Sequence, residues 1–368
     1  MNGDDVVGVV GLGTVGSALR RRLQGVGVSV VGVDPDPNTK PDYADLAAVP
    51  PSCAALILCV PTPVAEPLRV LLDVVGHVNH LSAWIPQTVI VESTLPPGGA
   101  LLLRRELRHE CGLAYCPERH IPFGGEQNWV RLVSGFEPGS VQAAKRIYTV
   151  AGWTTTEGSP GEVELAKLLE NAQRAVLIGW AAEFAALAKG LGVDPWEVYR
   201  LANTKRVGYL PMSHSAGVGG HCVSTGPQWL PLRGGSVLSA ALGWLWEMPK
   251  FAAWAICAAG VRNHRLARQV VLVGCGYKPG AVGGPNPPAL QLQRELEGRV
   301  TVILYDPLIE EYQLSQSVLS AALAGSDVVA IVQPQGVELL NFIVQNARRV
   351  VDCCGCIPQP LPANVERL

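Results

Sequence analysis

The sequence predicts an α/β protein in which two parallel-sheet domains are joined by a helical middle domain. Three observations carry this reading. Short β-like runs alternate with helical patterns over the first third, a long proline-free helical stretch follows, and the alternation returns near the end. In order, Val6–Val10 reads as a strand, Ser17–Leu23 as a helix and Val28–Val33 as a second strand. Ala54–Val60 and Thr88–Val91 read as further strands running into proline-rich loops. Glu164–Gly190 spaces alanine and leucine at helical intervals, and Glu197–Leu201 continues in that style. Val237–Val261 reads as another helix, kinked or interrupted at Pro249. Val270–Val273, Val300–Tyr305, Val328–Val332 and Val350–Val351 then read as strands, with Ala289–Leu296 a helix between the first two. The expected domains are residues 1–158, 159–262 and 263–368.

Composition excludes several functional classes. A chain of 368 residues with 48% hydrophobic and 16% charged side chains is globular and long enough for two or three cores. A formal charge of -2 makes no case for nucleic acid or an anionic membrane as partner. The acidic start Met1–Asp5 lacks the basic region of a secretory signal. Glu247, Pro249 and Lys250 break the most apolar later stretch into pieces shorter than the roughly 20 residues a membrane helix needs. Ten cysteines behind such a start are expected to be reduced thiols in the cytoplasm. Cys53, Cys59, Cys257 and Cys275 sit in apolar runs, as small core residues do. Cys353, Cys354 and Cys356 invite a zinc reading, but no second ligand pair stands near at standard spacing, so no metal is expected.

The first glycine loop is specific in its context. Gly11, Gly13 and Gly16, with Thr14 and Val15 between the last two, form G-x-G-x-x-G directly after a strand and before a helix, and all five are candidate cofactor contacts. The first glycine permits the tight turn, the second lets backbone approach a pyrophosphate, and the third allows close helix packing. The following strand ends at Asp34, eighteen residues after Gly16, where a carboxylate can accept from ribose hydroxyls. No arginine stands beside Asp34, which favours NAD over NADP. The expected N-terminal domain is therefore Rossmann-like, with NAD as cofactor.

Gly217–Cys222 surrounds one thiol with glycines. From the residues alone, a nucleophile that meets a bulky substrate and a tight turn with a spare cysteine both remain open.

A resemblance covers nearly the whole chain in the right order. The segments are Gly11–Gly16, Cys59–Pro63, Glu92–Gly98, Cys116–Arg119, Glu164–Asn171, Asn203–Lys205, Gly217–Cys222, Gly274–Pro279 and Tyr305–Pro307. Together the chain resembles the UDP-glucose/GDP-mannose dehydrogenase family, and Pro117-Glu118-Arg119 is similar to the branch acting on UDP-N-acetylmannosamine. The resemblance implies two Rossmann-like domains around a helical dimerisation domain. It implies four-electron oxidation of a UDP-sugar C6 alcohol to a uronic acid, with Cys222 capturing the aldehyde and then carrying a thioester. It implies that Lys167 and Asn171 stabilise the oxyanions, that Thr94 lies near the reacting centre, and that Glu118 positions substrate or handles a water proton. Pro61, Thr62 and Thr94 would border the NAD, while Glu118, Arg119, Lys167, Asn171, Gly219 and Lys278 would bind the nucleotide sugar. A homodimer would form through the Trp- and Leu-rich Val237–Val261 stretch.

The chain departs from that pattern in places. Gly226 stands where the family carries an aspartate four residues after the cysteine. Leu242 replaces an arginine that reaches substrate across the dimer, and Gly283–Pro288 replaces an Asp-x-Arg-x-Ser-Pro run. Asp352-Cys353-Cys354 replaces a final Asp-x-Arg. These losses leave two other classes in view: a non-catalytic nucleotide-sugar-binding homologue, and a 6-phosphogluconate-like 2-hydroxyacid dehydrogenase. The second needs no catalytic cysteine.

Overall fold

The structure, a computed structural model, describes residues 6–119, 130–205, 207–261, 267–281 and 284–368. Met1–Asp5, Gly283 and the expected 262/263 boundary lie outside the described residues. The chain forms two compact units, Met1–Glu170 with Gln228–Leu230, and Asn171–Pro227 with Pro231–Leu368.

The first unit runs β1 (Val6–Val10), α1 (Thr14–Gly25), β2 (Val30–Val33), β3 (Cys53–Leu58), α2 (Arg69–His80), β4 (Thr88–Val91) and α3 (Gly99–Glu106). It continues with β5 (Gly112–Tyr115), β6 (Arg131–Gly135), α4 (Pro138–Val150) and β7 (Thr155–Glu157). These strands make one seven-stranded sheet ordered β2-β1-β3-β4-β5-β6-β7. All pairings are parallel except β5 with β6. Side chains alternate across β3: Leu56 and Leu58 enter one apolar layer, Ala55 and Ile57 the other. The second strand starts two residues later than its apolar run suggests. Gly27 takes φ +82° and Val28 N–H returns to the Leu23 carbonyl, so Val28 belongs to the turn closing α1.

Helix α5 (Pro160–Gly190) begins in the first unit and ends in the second. The second unit then contains α6 (Pro195–Ala202), α7 (His221–Ser224), α8 (Val237–Ala259), β8 (Gln269–Val273), α9 (Pro288–Leu296) and β9 (Thr301–Tyr305). It closes with α10 (Gln316–Gly325), β10 (Val328–Ile331), α11 (Val337–Asn346), β11 (Val350–Asp352) and β12 (Val365–Arg367). Its parallel five-stranded sheet is ordered β12-β11-β10-β8-β9. Helix α8 continues through Pro249 instead of stopping there. Proline removes one i→i−4 bond, and the apolar packing of Leu245, Met248, Ala252 and Ile256 outweighs that loss.

Each sheet has a strand where the chain order reverses, and each carries the same device there. After β1, Gly11 has φ +87° and the Asp34 carboxylate accepts from Leu12 N–H at 2.6 Å and Asp36 N–H at 2.9 Å. After β8, Gly274 has φ +92° and Asp306 accepts from Cys275 N–H at 2.7 Å and Leu308 N–H at 2.8 Å. Ligands of open α/β sheets bind beyond the strand ends at such reversals.

Candidate active site

In the first unit the glycine loop is shaped for a dinucleotide. A Cβ on Gly11 would stand 2.7 Å from the Cys59 carbonyl, and one on Gly16 would collide with the Gly11 carbonyl. A Cβ on Gly13 would meet nothing within 4 Å. Two glycines are thus dictated by packing, and the third leaves bare backbone facing open space at the N-terminus of α1, where a pyrophosphate fits. Thr14 is exposed and Val15 half-buried in the first turn of that helix. Pro61 and Thr62 follow β3 beyond the same strand ends.

Two neighbouring strands, β4 and β5, deliver the next residues. Thr94 is half-buried in the loop after β4, and that loop is tied down at both sides. Ser93 donates its hydroxyl to the Val60 carbonyl at 2.7 Å. The buried Glu164 of α5 accepts from Gly98 N–H and Ala100 N–H, each at 2.7 Å, and so caps α3. Glu118 follows β5, its N–H donating to the Glu92 carbonyl at 3.0 Å.

Behind Thr94 and Glu118 lies a buried charge cluster. The Arg131 side chain, 2% exposed, donates to Glu118 Oε2 at 2.6 Å and to Glu92 Oε1. Tyr148 donates its hydroxyl to the same Glu92 oxygen at 2.6 Å. The Arg131 guanidinium also lies 4.5 Å from the centre of the Tyr148 ring and 5.0 Å from that of Trp153. Two carboxylates in one dry pocket need such a cation, because an unpaired buried charge carries a desolvation penalty of several kcal/mol. Burial pushes the Glu92 carboxyl up to about 7, and Arg131 only partly opposes it. Sequence reading missed both residues. Arg131 lies thirteen residues from Glu118 and thirty-nine from Glu92, and it looks like an ordinary surface arginine.

Glu92 therefore gives the stability a defined pH dependence. Its folded pKa lies above the unfolded carboxylate value, so the folded state holds a proton that the unfolded chain has released. Stability from this group is present below about pH 4.5 and is lost as pH rises through about 7. The expected fall is on the order of 3 kcal/mol, and Glu92→Gln should flatten it. Urea unfolding of both proteins from pH 4.5 to 8 measures this; superimposable profiles would contradict the assignment.

Lys167 and Asn171 lie one turn apart on α5 and both are buried. Arg119 is engaged by Glu170 at 2.6 Å and donates to the Val130 carbonyl at 2.6 Å.

In the second unit Cys222 is exposed in α7. The glycines before it have a local structural cause. A Cβ on Gly219 would stand 2.6 Å from the Asn286 carbonyl and 2.8 Å from Tyr277 Cβ. Gly220 has φ +83°, and a Cβ there would press within 2.9 Å of the Tyr277 ring. Gln291 closes the loop by donating to the Val218 carbonyl at 2.9 Å and the Asn286 carbonyl at 2.6 Å. Burial, followed by the charge of Cys222, pushes the Tyr277 phenol up. The glycine run thus makes room for Tyr277 as well as baring a thiol. Lys278, half-buried, follows in the turn after β8. All ten cysteines are free thiols.

A glycine-loop sheet with a capping aspartate, together with a second sheet of the same design, defines a dinucleotide-dependent oxidoreductase. Comparisons with known proteins agree. The model of the UDP-glucose/GDP-mannose dehydrogenase family, central domain, matches residues 161–234, and that of the D-isomer specific 2-hydroxyacid dehydrogenase NAD binding domain matches residues 2–66. The UDP-N-acetyl-D-mannosamine dehydrogenase of Pyrococcus horikoshii is 30% identical over 302 residues, covering 75% of this chain and 70% of that one. The enzyme of the same name from Methanococcus aeolicus is 26% identical over 385 residues, covering 93% and 87%. A solved UDP-D-ManNAc dehydrogenase of Pyrococcus horikoshii shares the fold, with a TM-score of 0.83 at 24% identity over 98% of each chain. The chain belongs to the UDP-glucose/GDP-mannose dehydrogenase family, and its cofactor is NAD. Among the described residues no helix is long and apolar enough to cross a membrane.

Proposed function

We propose that this protein oxidises the C6 alcohol of a UDP-sugar, of the UDP-N-acetylmannosamine class, to the carboxylate through a thioester on Cys222. The exposed Cys222 thiol, in a loop held by Tyr277 and Gln291, carries this reading. The relatives' names supply the substrate class.

NAD held at the glycine loop would supply the acceptor for the hydride that leaves C6 in each of two successive oxidations. Between them the Cys222 sulfur adds to the aldehyde carbon, giving a thiohemiacetal. Loss of the second hydride leaves the thioester, and water releases the acid. The balance is one alcohol, two NAD and one water giving one carboxylate, two NADH and three protons. Lys167 and the Asn171 amide are suited to the oxyanions of the tetrahedral stages, since a buried cation and an amide donor are strong there. Thr94 stands beside them in role, and Glu118, which accepts from Arg131, orients substrate or receives the proton of water. Arg119, Gly219 and Lys278 bind substrate in this reading. A second copy of the chain packs against the apolar side chains exposed on α8, Trp246 and Trp254 among them.

Incubation with NAD and a panel of nucleotide sugars, with mass analysis, tests the proposal. Two NADH per uronate from UDP-N-acetylmannosamine is the expected result. Gly226 and Leu242 favour a second reading, a nucleotide-sugar binder without turnover, and NADH production from none of the sugars would establish it.

Cofactor choice follows from Asp34. Asp34 follows β2 beside the glycine loop, and a 2′-phosphate bound there would meet a like charge, which costs several kcal/mol. NAD should exceed NADP in kcat/KM by roughly 10²-fold or more. Equal use of the two would remove Asp34 from the ribose site.

A further inference from the structure

At the end of β11, in the second unit, the chain reads Asp352-Cys353-Cys354-Gly355-Cys356. The Asp352 side chain is buried, and three donors hold it. Oδ2 accepts from Ile357 N–H at 2.8 Å, and Oδ1 accepts from Cys354 N–H and Cys356 N–H, both at 3.2 Å. The same Oδ1 lies 3.5 Å from Cys354 Sγ and 3.6 Å from Cys356 Sγ. All three ligand atoms lie within 4.8 Å of one another. Cys353 takes no part, because its thiol points into the core toward the Val351 carbonyl.

Gly355 makes this geometry rigid. Its φ is +65°, and a Cβ there would collide with the Trp196 ring. Only glycine fits, and the resulting turn brings the flanking thiols to one side of the carboxylate. With metal–sulfur bonds of about 2.3 Å and metal–oxygen bonds of about 2.0–2.2 Å, these O···S separations subtend about 102–114° at a shared ion, a range centred near tetrahedral. Cys354 and Cys356 are each half-buried, and solvent would complete the fourth position.

We propose that Asp352, Cys354 and Cys356 form a three-ligand site for a zinc-class cation, completed by solvent. Loading exchanges one Zn²⁺ for the two thiol protons, which leave to solvent, and the net charge of the cluster does not change. Such an ion would clip the turn between β11 and β12. The reading of the sequence weighed a second thiol pair and overlooked the aspartate that precedes the thiols.

Cobalt(II) tests the site in the full-length protein after chelator treatment under reductant. One equivalent is expected to give a thiolate-to-cobalt charge-transfer band with tetrahedral visible absorption, to release two protons, and to be displaced by one equivalent of zinc. Cys354→Ser and Cys356→Ser change partly exposed positions, and each should weaken zinc at least about 10²-fold. Cys222→Ser should bind as the wild type does. The proposal is overturned if the wild type gives no tetrahedral cobalt spectrum, if the double serine variant keeps it, or if the reduced protein holds a Cys354–Cys356 disulfide.

Discussion

Replacing Cys222 by serine is expected to reduce carboxylate formation by at least about 10³-fold while leaving NAD affinity unchanged. The thiolate is the nucleophile, and a serine hydroxyl at the same place is not appreciably ionised near neutral pH. Cys222 is exposed, so the substitution removes no core packing, and the NAD loop belongs to the other unit. The readout is stoichiometric as well as kinetic. Wild type should yield two NADH per sugar consumed, whereas Cys222→Ser should yield at most one, with the aldehyde as the oxidised product. A variant that still makes acid at the normal rate would show that the aldehyde is oxidised without capture on sulfur.

Much of the fold could be read from local pattern, because strand, tight turn and capping aspartate sit close together in the chain. Val33-Asp34-Pro35 and Tyr305-Asp306-Pro307 end the second strand of each sheet, and in both the aspartate caps the glycine turn after the first strand. Cys222, Lys167, Asn171 and Thr94 came from motif resemblance rather than periodicity. What stayed hidden depends on pairing at long range. Arg131 and Glu164 look like solvated charges in sequence, yet one pairs with the buried Glu92 and the half-buried Glu118, and the other caps α3 from sixty-six residues away. Nothing near either residue announces its partner. The residues of Gly217–Cys222 leave substrate clearance and a tight turn both open, and part of the cause of the glycines is the Tyr277 ring, more than fifty residues on. Pro249 reads in sequence as a kink or an interruption, and of the two the interruption does not occur, since α8 runs through it.

Hydrolysis of the thioester should limit turnover, with a burst of NADH and an acyl group accumulating on Cys222. A thioester yields to water only if that water is held and relieved of a proton near the acyl carbon. The family's aspartate at this place is replaced by Gly226, which is buried in a 3₁₀ turn directly after α7. Its neighbours do not substitute. Ser224 donates its hydroxyl to the Gly220 carbonyl, and neither it nor the buried Thr225 is a base near neutral pH. Glu118 is the carboxylate left among the site residues named above, and it already accepts from Arg131 at 2.6 Å. Loss of a general base typically slows a step by about 10²–10⁴-fold, enough to place hydrolysis behind both hydride transfers. Gly226→Asp should therefore raise the steady-state rate more than the burst rate, with thermal denaturation run in parallel to register the strain of a carboxylate at a buried position. Rapid-quench mass spectrometry of the wild type decides the matter without any variant: a Cys222 adduct in the first turnovers is expected, and linear NADH with no adduct would show that the water is activated by another group.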